Sequence, residues 1–250
     1  MKAVGIIPAR MASTRLSQKV LRLIAGKPMI WHVWQRVRQA KLLSDLMVAC
    51  DDEKIAACVR EFGGKAVMTR ADHPNGSSRV GEAAAQLDAE VIVNIQGDEP
   101  LIEPSNIDAI VQAFRARPED QAVTLAIRKT DRADYENPNV VKAVTDASGY
   151  ALYFSRSPIP FFRDPAEGGF SYLKHLGIYG YRRRFLLDFL TWESTVLEKT
   201  EKLEQLRVLE RGRKLRVVET LEDSIGVDTE EDILKAETEF KKRHSGAGSI

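Results

Sequence analysis

The chain has 250 residues, enough to bury a full core as one large domain or two small ones. Its 37 basic and 36 acidic side chains nearly cancel to a formal +1, which argues against a dedicated nucleic-acid binder, where a basic excess is the rule. No apolar run reaches the length of a membrane span, and Cys50 and Cys58 sit in ordinary apolar patterns without metal-ligand neighbours. A reduced, cytoplasmic protein with no nucleic-acid or membrane partner is therefore expected.

Taken in chain order, the apolar run Ala3 to Ile7 predicts a buried strand that breaks at Pro8 into a loop of small residues, Ala9 to Lys19. That loop carries Arg10, Arg15 and Lys19. Small side chains let a ligand approach the backbone N–H groups, and three cations suit a polyanion such as a nucleoside triphosphate. On charge alone a solvated basic loop is an equal reading. The position beyond the carboxyl end of a strand is what favours a ligand site. Lys27-Pro28 opens a predicted helix whose apolar face is Ile30, Val33, Trp34 and Val37. Leu46 to Cys50 reads as a second buried strand ending in Asp51-Asp52, and Ile55, Val59 and Phe62 mark a short helix closed by Gly63-Gly64. Lys65 to Met68 is a strand, Thr69 to Arg79 a loop, and an Ala-rich helix runs to Leu87. Val91 to Ile95 is a strand ending on Gln96-Gly97-Asp98-Glu99-Pro100, and Ile107, Ile110, Val111 and Phe114 form a helix behind Pro104. This alternation predicts βαβ units and a mostly parallel sheet.

From about Val123 the alternation loosens. Val140–Val144, Ala151–Ser155, Leu176–Tyr181 and Leu215–Leu221 read as strands, Phe185–Trp192 and Glu198–Gly212 as helices, and Thr229 to Asp232 as a capping box for a last helix. The second half should add antiparallel strands to the same sheet. No Pro/Gly/Ser-rich linker separates the halves, so residues 1–244 are read as one domain and 245–250 as a flexible tail.

Two acidic turns stand out: Asp98 directly after a strand, and Asp228 just ahead of the last helix. Either carboxylate could simply cap a turn. Two that met over a triphosphate loop would suit Mg²⁺, which takes one or two carboxylates plus phosphate oxygens. A further polar set comprises Tyr153 to Arg156, Arg163, Lys174-His175, Tyr179, Glu204-Gln205 and Arg207. His175 and Tyr179 share a strand face because their separation is even, although a structural role is the commoner one for such residues. On pattern alone Glu204-Gln205 read as the charged face of a helix.

Together these segments resemble the CMP-Kdo synthetase (3-deoxy-manno-octulosonate cytidylyltransferase) family from Val4 to about Glu237. The matching pieces are Ile7-Pro8-Ala9-Arg10, Ser13-Thr14-Arg15-Leu16, Gly26 to Ile30, Gln96 to Pro100, Tyr150 to Arg156, Lys174 to Tyr179, Leu203 to Arg207 and Gly226 to Thr229. The resemblance implies a three-layer α/β nucleotide-binding fold with a mostly parallel, mixed central sheet and the reaction CTP + Kdo → CMP-Kdo + pyrophosphate in lipopolysaccharide synthesis. It assigns Arg10, Lys19, Asp98 and Asp228 to catalysis, and Ala9, Arg10, Arg15 and Lys19 to the CTP phosphates. Ser77, Ser78 and Arg79 fall to the cytidine, Asp98 and Asp228 to Mg²⁺, and Gln96, Arg156, His175, Tyr179, Glu204 and Gln205 to the acid sugar. A homodimer follows by the same analogy. No side chain presents itself as a general base, which leaves that part to the metal. The same chemistry on 8-amino-Kdo or another 2-keto acid sugar, and a nucleotide-binding regulator without catalysis, are the competing readings. Two departures from the family pattern stand out. Ser17-Gln18 replaces the usual Pro-Gly before Lys19, removing a residue tolerant of φ > 0, and Ser78 replaces an acidic side chain.

Overall fold

The computed structural model describes residues 1–12, 16–164, 169–224 and 226–246. Strand β1 (Ala3–Ala9) runs two residues past its predicted end at Ile7, carrying Pro8 within it. A 3₁₀ turn (Lys19–Leu21) then leads to a hairpin of β2 (Leu23–Ile24) and β3 (Lys27–Pro28). Its two turn residues, Ala25 and Gly26, both have positive φ (47° and 78°), the geometry that a two-residue hairpin of matching twist requires. Lys27-Pro28 therefore closes a hairpin instead of opening the helix, and α1 covers Met29–Val37. Strand β4 (Asp45–Cys50), α2 (Glu53–Glu61), β5 (Ala66–Met68), α3 (Gly76–Ala85), β6 (Val91–Asn94) and α4 (Pro104–Ala116) follow the predicted alternation. Helix α3 starts four residues earlier than expected, because Asn75 accepts the Ser78 N–H at 2.9 Å and caps it. Ser77, Ser78 and Arg79 thus lie in the first turn of a helix and not in a loop.

The second half departs further from expectation. Strand β7 (Ala122–Lys129) was not predicted; it is buried on both faces over Ala122–Ile127, and its alanines and Thr124 dilute the apolar signal of a buried strand. A short α5 (Arg132–Glu136) and the antiparallel pair β8 (Lys142–Thr145) and β9 (Ala151–Ser155) precede β10 (Tyr172–Arg182), which begins four residues before its predicted start. Helix α6 (Arg183–Leu190) packs back on the sheet. The single helix expected over Glu198–Gly212 is two, α7 (Val196–Glu201) and α8 (Leu206–Glu210), separated where Lys202 takes a left-handed φ of 55°. Strand β11 (Arg216–Thr220) pairs parallel to β7, not antiparallel. Helix α9 (Glu230–Gly246) runs two residues into the segment read as a tail; residues 247–250 lie outside the described residues.

Seven of the strands form one sheet in the order β11-β7-β10-β6-β1-β4-β5, with β8 and β9 attached alongside β10. Strands β6, β1, β4 and β5 are mutually parallel, and β10 is antiparallel to β6 and β7. One face packs Ile7, Val48, Val93 and Leu125 against α1, α2 and α4 through Val33, Val37, Ile55, Val59, Ile107 and Phe114. The other packs Ile6, Met47 and Ile92 against α3 and α6 through Val80, Leu186 and Phe189. Each fully buried Val, Ile, Leu or Phe contributes about 1.5–3 kcal/mol, so two such faces make the three layers mutually dependent. A third, smaller cluster (Leu16, Ile24, Met29, Leu101, Val227, Ile233, Ala236 and Phe240) docks α9 onto the β2–β3 hairpin.

Two backbone features connect the fold to the carboxyl ends of the strands. A Cβ on Gly97 would lie 2.7 Å from the Pro8 carbonyl oxygen, so the β1 and β6 loops touch only because this residue has no side chain. Gly97→Ala is expected to cost about 1–3 kcal/mol, seen as a lower midpoint in urea unfolding. Gln18, where the family pattern has glycine, holds φ 52° and ψ 37° immediately before Lys19, a conformation costing roughly 1–2 kcal/mol for an L side chain. Gln18→Gly should therefore stabilise by up to about 1 kcal/mol. Gln18→Val should destabilise by at least about 1 kcal/mol, since β-branched residues tolerate this region worst. Calorimetric melting of the two variants checks the order Gly above Gln above Val.

Candidate active site

Lys19 is where the site closes. Its ammonium lies 2.5 Å from Asp98 Oδ2 and 2.7 Å from Asp228 Oδ1. Burial alone would lower its pKa, but the two carboxylates outweigh that and raise it. The acidic turns meet for a backbone reason as well: the Val227 N–H donates to the Asp98 carbonyl at 2.8 Å. The turn carrying Asp228 is fixed by the predicted capping box. Asp232 Oδ2 accepts from the Asp228 and Thr229 N–H groups, and the Asp232 N–H returns a bond to Thr229 Oγ1.

Around these residues lies a cavity of about 260 Å³. The end of β1 and the 3₁₀ turn line it with Pro8, Ala9, Arg10, Lys19 and Val20; the start of α3 and the segment before it contribute Pro74, Asn75, Gly76 and Arg79; Gln96, Gly97, Asp98 and Asp228 complete it. Ala9, Arg10 and Lys19 are thus brought together. Arg15, with Ser13 and Thr14, lies outside the described residues. Arg79 lines the cavity, but its side chain is only 2% exposed. Its guanidinium donates to Asp51 Oδ2 at 2.8 Å, Thr69 Oγ1 at 2.6 Å and the Arg70 carbonyl at 3.2 Å. Ser78 lines neither this cavity nor the larger one beside it; its N–H and hydroxyl bond back to Asn75. The helix cap uses both polar groups of Ser78, which separates it from the nucleotide contacts implied for it.

A second cavity of about 1090 Å³ adjoins the first and shares Gly76, Gln96, Asp98 and Asp228 with it. Gln96, Arg156, His175, Tyr179, Glu204, Gln205 and Ser77 all line it. Gln96 Nε2 donates to the Gly177 carbonyl at 3.0 Å. Strand β10 bulges between Leu176 and Tyr179, gaining two residues against β7. An even insertion keeps His175 and Tyr179 on one face, with ring centroids 5.5 Å apart. His175 Nε2 sits 2.9 Å from Thr124 Oγ1, whose hydroxyl also reaches the Ile178 carbonyl at 2.8 Å. Burial pushes the imidazole down to about 3, so it is neutral at pH 7 and acts through hydrogen bonds, not charge. Burial likewise raises the Tyr179 phenol and the Glu204 carboxyl, the latter against the pull of the Ser77 hydroxyl and Arg207.

Glu204 and Gln205 correct the reading from pattern. The break at Lys202 turns them off the helix surface and onto the cavity wall. Glu204 Oε2 and Gln205 Nε2 are buried with no protein hydrogen-bond partner, the state of groups that await a ligand. Arg207 braces this turn: it is ion-paired with Glu198 at 3.0 Å and lies 4.3 Å over the Phe189 ring. The Arg156 guanidinium donates to the Glu201 and Pro138 carbonyls. Lys174 lines the same cavity and shares Asp223 with Lys129. Burial lifts the Glu99 carboxyl to about 7, and it accepts the Ser224 hydroxyl at 2.5 Å.

Sequence reasoning passed over Asp51, Thr124, Glu99 and Asp223. Asp51 alone carried a usable signal, an acidic residue at a strand's carboxyl end just as Asp98 is. Thr124 lay on the unpredicted strand β7.

The His175 shift has a definite sign. Its folded value near 3 lies below the unfolded value near 6.5, so the unfolded chain takes up the proton first as pH falls. This contribution to stability is complete above pH 6.5 and declines toward pH 3. Between pH 6.5 and 4.5 it amounts to about 2–3 kcal/mol. His175→Phe should flatten the pH dependence of the urea midpoint over that window relative to the parent chain.

A family model described as cytidylyltransferase matches residues 4–217. The 3-deoxy-manno-octulosonate cytidylyltransferase of Geobacter sulfurreducens is 50% identical over 250 residues, spanning 96% of this chain and all of the relative. That of Geotalea uraniireducens is 51% identical over 254 residues, spanning 97% of this chain and all of the relative. Among solved structures, a CMP:2-keto-3-deoxy-manno-octonic acid synthetase complexed with CTP superposes with a TM-score of 0.92 at 39% identity, covering 97% of this chain and all of that one. A 4-diphosphocytidyl-2C-methyl-D-erythritol synthase from Anaerococcus prevotii, at 15% identity and a TM-score of 0.66 over 96% of this chain and 98% of that one, shares the fold. No helix among the described residues is long and apolar enough to cross a membrane. The matched length and identity make this chain a member of the cytidylyltransferase family, within its 3-deoxy-manno-octulosonate cytidylyltransferase branch.

Proposed function

We propose that this protein transfers the cytidylyl group of CTP to the anomeric hydroxyl of Kdo, releasing pyrophosphate. The observation that carries the reading is the junction of the two cavities: Gly76, Gln96, Asp98 and Asp228 line both. A nucleotide in the smaller cavity and a polyhydroxylated acid in the larger would meet there, beside Lys19. Arg10 and Lys19 would hold the phosphates, and the N–H groups beyond β1 would approach them closely because Ala9 is small. In the larger cavity the unpartnered Glu204 and Gln205 atoms, neutral His175 and the Tyr179 hydroxyl suit sugar hydroxyls, and the cations Arg156 and Lys174 suit the carboxylate. The sugar oxygen attacks the α-phosphorus in line, pyrophosphate leaves, and fixing both partners at the junction turns a two-body encounter into an intramolecular one.

Mg²⁺ fits the donor set. Asp98 and Asp228 converge on one cation, Lys19, while no group of three or more His, Cys, Asp or Glu side chains suited to a metal occurs among the described residues. Two carboxylates with phosphate oxygens and water are a usual environment for this ion. When bound, it would neutralise phosphate charge that Lys19 and Arg10 otherwise meet alone. The convergence of Lys19, Asp98 and Asp228 favours catalysis over a regulator that only binds nucleotide. 8-Amino-Kdo or another 2-keto acid sugar is the competing acceptor; the relatives named 3-deoxy-manno-octulosonate cytidylyltransferase favour Kdo. Within the reading, lipopolysaccharide synthesis in the cytoplasm is the setting. A second copy of the chain is a fitting cover for the apolar Leu152 and Phe161, which are 62% and 85% exposed.

The test is pyrophosphate release from CTP and Mg²⁺ with Kdo and 8-amino-Kdo side by side. Release with Kdo is expected, the rate ratio naming the acceptor, and silence with both overturns the reading. Asp228→Asn should lower kcat by at least about 100-fold at saturating Mg²⁺, in the range of losing one preorganised charge contact. Full turnover in that variant would remove Asp228 from the metal site.

A further inference from the structure

Asp51 directly follows β4, and its two oxygens bond to two different segments that line the smaller cavity, the first loop and α3. Oδ1 accepts the Met11 N–H at 2.9 Å, next to Arg10 on the first loop. Oδ2 takes the Arg79 guanidinium, from the first turn of α3, at 2.8 Å. The pair is enclosed, with side chains 2% and 9% exposed, and Arg79 extends the link to Thr69 Oγ1 and the Arg70 carbonyl. Arg79 is therefore committed within the protein and is not a solvated hook for phosphate. A buried carboxylate that loses its cation, or the reverse, leaves an uncompensated charge, so the Arg79 side depends on Asp51 Oδ2 while the first loop is held separately through Oδ1.

We propose that Asp51 is a positioning residue that locks the phosphate-holding loop to the nucleoside-facing wall, so that the two ends of the nucleotide bind as a coupled unit. The proposal rests on the reading of the smaller cavity as the CTP site. Coupling of this kind is reciprocal between the two ends, and here it has a short covalent and ionic route: Arg10–Met11, Asp51, Arg79.

Asp51→Asn separates the two arms. The amide oxygen can still accept the Met11 N–H, while the NH₂ group now opposes the Arg79 guanidinium. The whole chain is titrated calorimetrically with pyrophosphate, with cytidine and with CTP, alongside steady-state kinetics. Expected for Asp51→Asn are pyrophosphate affinity within threefold of the parent and at least tenfold weaker cytidine and CTP binding. KM for CTP should rise at least tenfold, with kcat and the KM for Kdo within threefold. A general loosening of the fold would weaken pyrophosphate, cytidine and CTP together and overturn the proposal, as would CTP and cytidine binding within twofold of the parent. Thr69→Val, which removes one Arg79 partner and spares Asp51–Met11, should give the same split at two- to fivefold and serves if Asp51→Asn does not fold. A parent chain that binds neither CTP nor pyrophosphate would instead sink the CTP reading itself.

Discussion

The structure turns on one ammonium group. Lys19 comes from the first loop, Asp98 from the middle of the sheet and Asp228 from the turn before the last helix, and only the Lys19 Nζ contacts bring the three charges within 2.7 Å. Two carboxylates facing one point repel, and a repulsion in a half-buried pocket is weakly screened. The cation makes their convergence stable, and the Val227–Asp98 backbone bond makes it reproducible. Everything downstream depends on this closure: both cavities end at it, and α9, which follows the turn carrying Asp228, is docked on the β2–β3 hairpin.

The two cavities differ in chemistry in a way that follows from the elements that build them. The smaller lies over the carboxyl ends of parallel β1 and β6, where backbone N–H groups and loop cations are available, as expected for open α/β sheets. The larger is walled by antiparallel β10 and by the broken α7–α8 turn, which supply side chains with a mixture of donors and acceptors. Burial keeps its His175 and Tyr179 neutral, so recognition there works through directed hydrogen bonds to neutral groups, with Arg156 and Lys174 supplying the charge.

Much of this was legible in the sequence where a single physical rule dominates. Continuous apolar runs located β1, β4 and β6, and acidic residues at a strand end or before a capping box located Asp98 and Asp228. Legibility failed where two rules compete. Glu204-Gln205 satisfy a charged helical face, yet one left-handed residue, Lys202, redirects them inward. Ser78 sits among nucleotide-wall residues, yet the demands of the Asn75 cap take its polar groups. Strand β7, Ala-Val-Thr-Leu-Ala-Ile-Arg-Lys, is an interior strand whose alanines, Thr124 and charged end hide it from an apolar count. Gln18 is the opposite case: the sequence flags the missing glycine, and the backbone keeps the left-handed geometry regardless.

The chain distance between Lys19 and Asp228 has a consequence in time. The two residues that share the site's salt bridge are 209 positions apart, which corresponds to about 10–40 s of ribosomal synthesis. During that interval a growing chain can fold β1 to β6 and present the first loop and Asp98, but it lacks the carboxylate that completes the ammonium's coordination and the helix that seals the hairpin. The site's charge closure therefore waits on the last stretch of the chain, since only then can Lys19 meet both of its carboxylates.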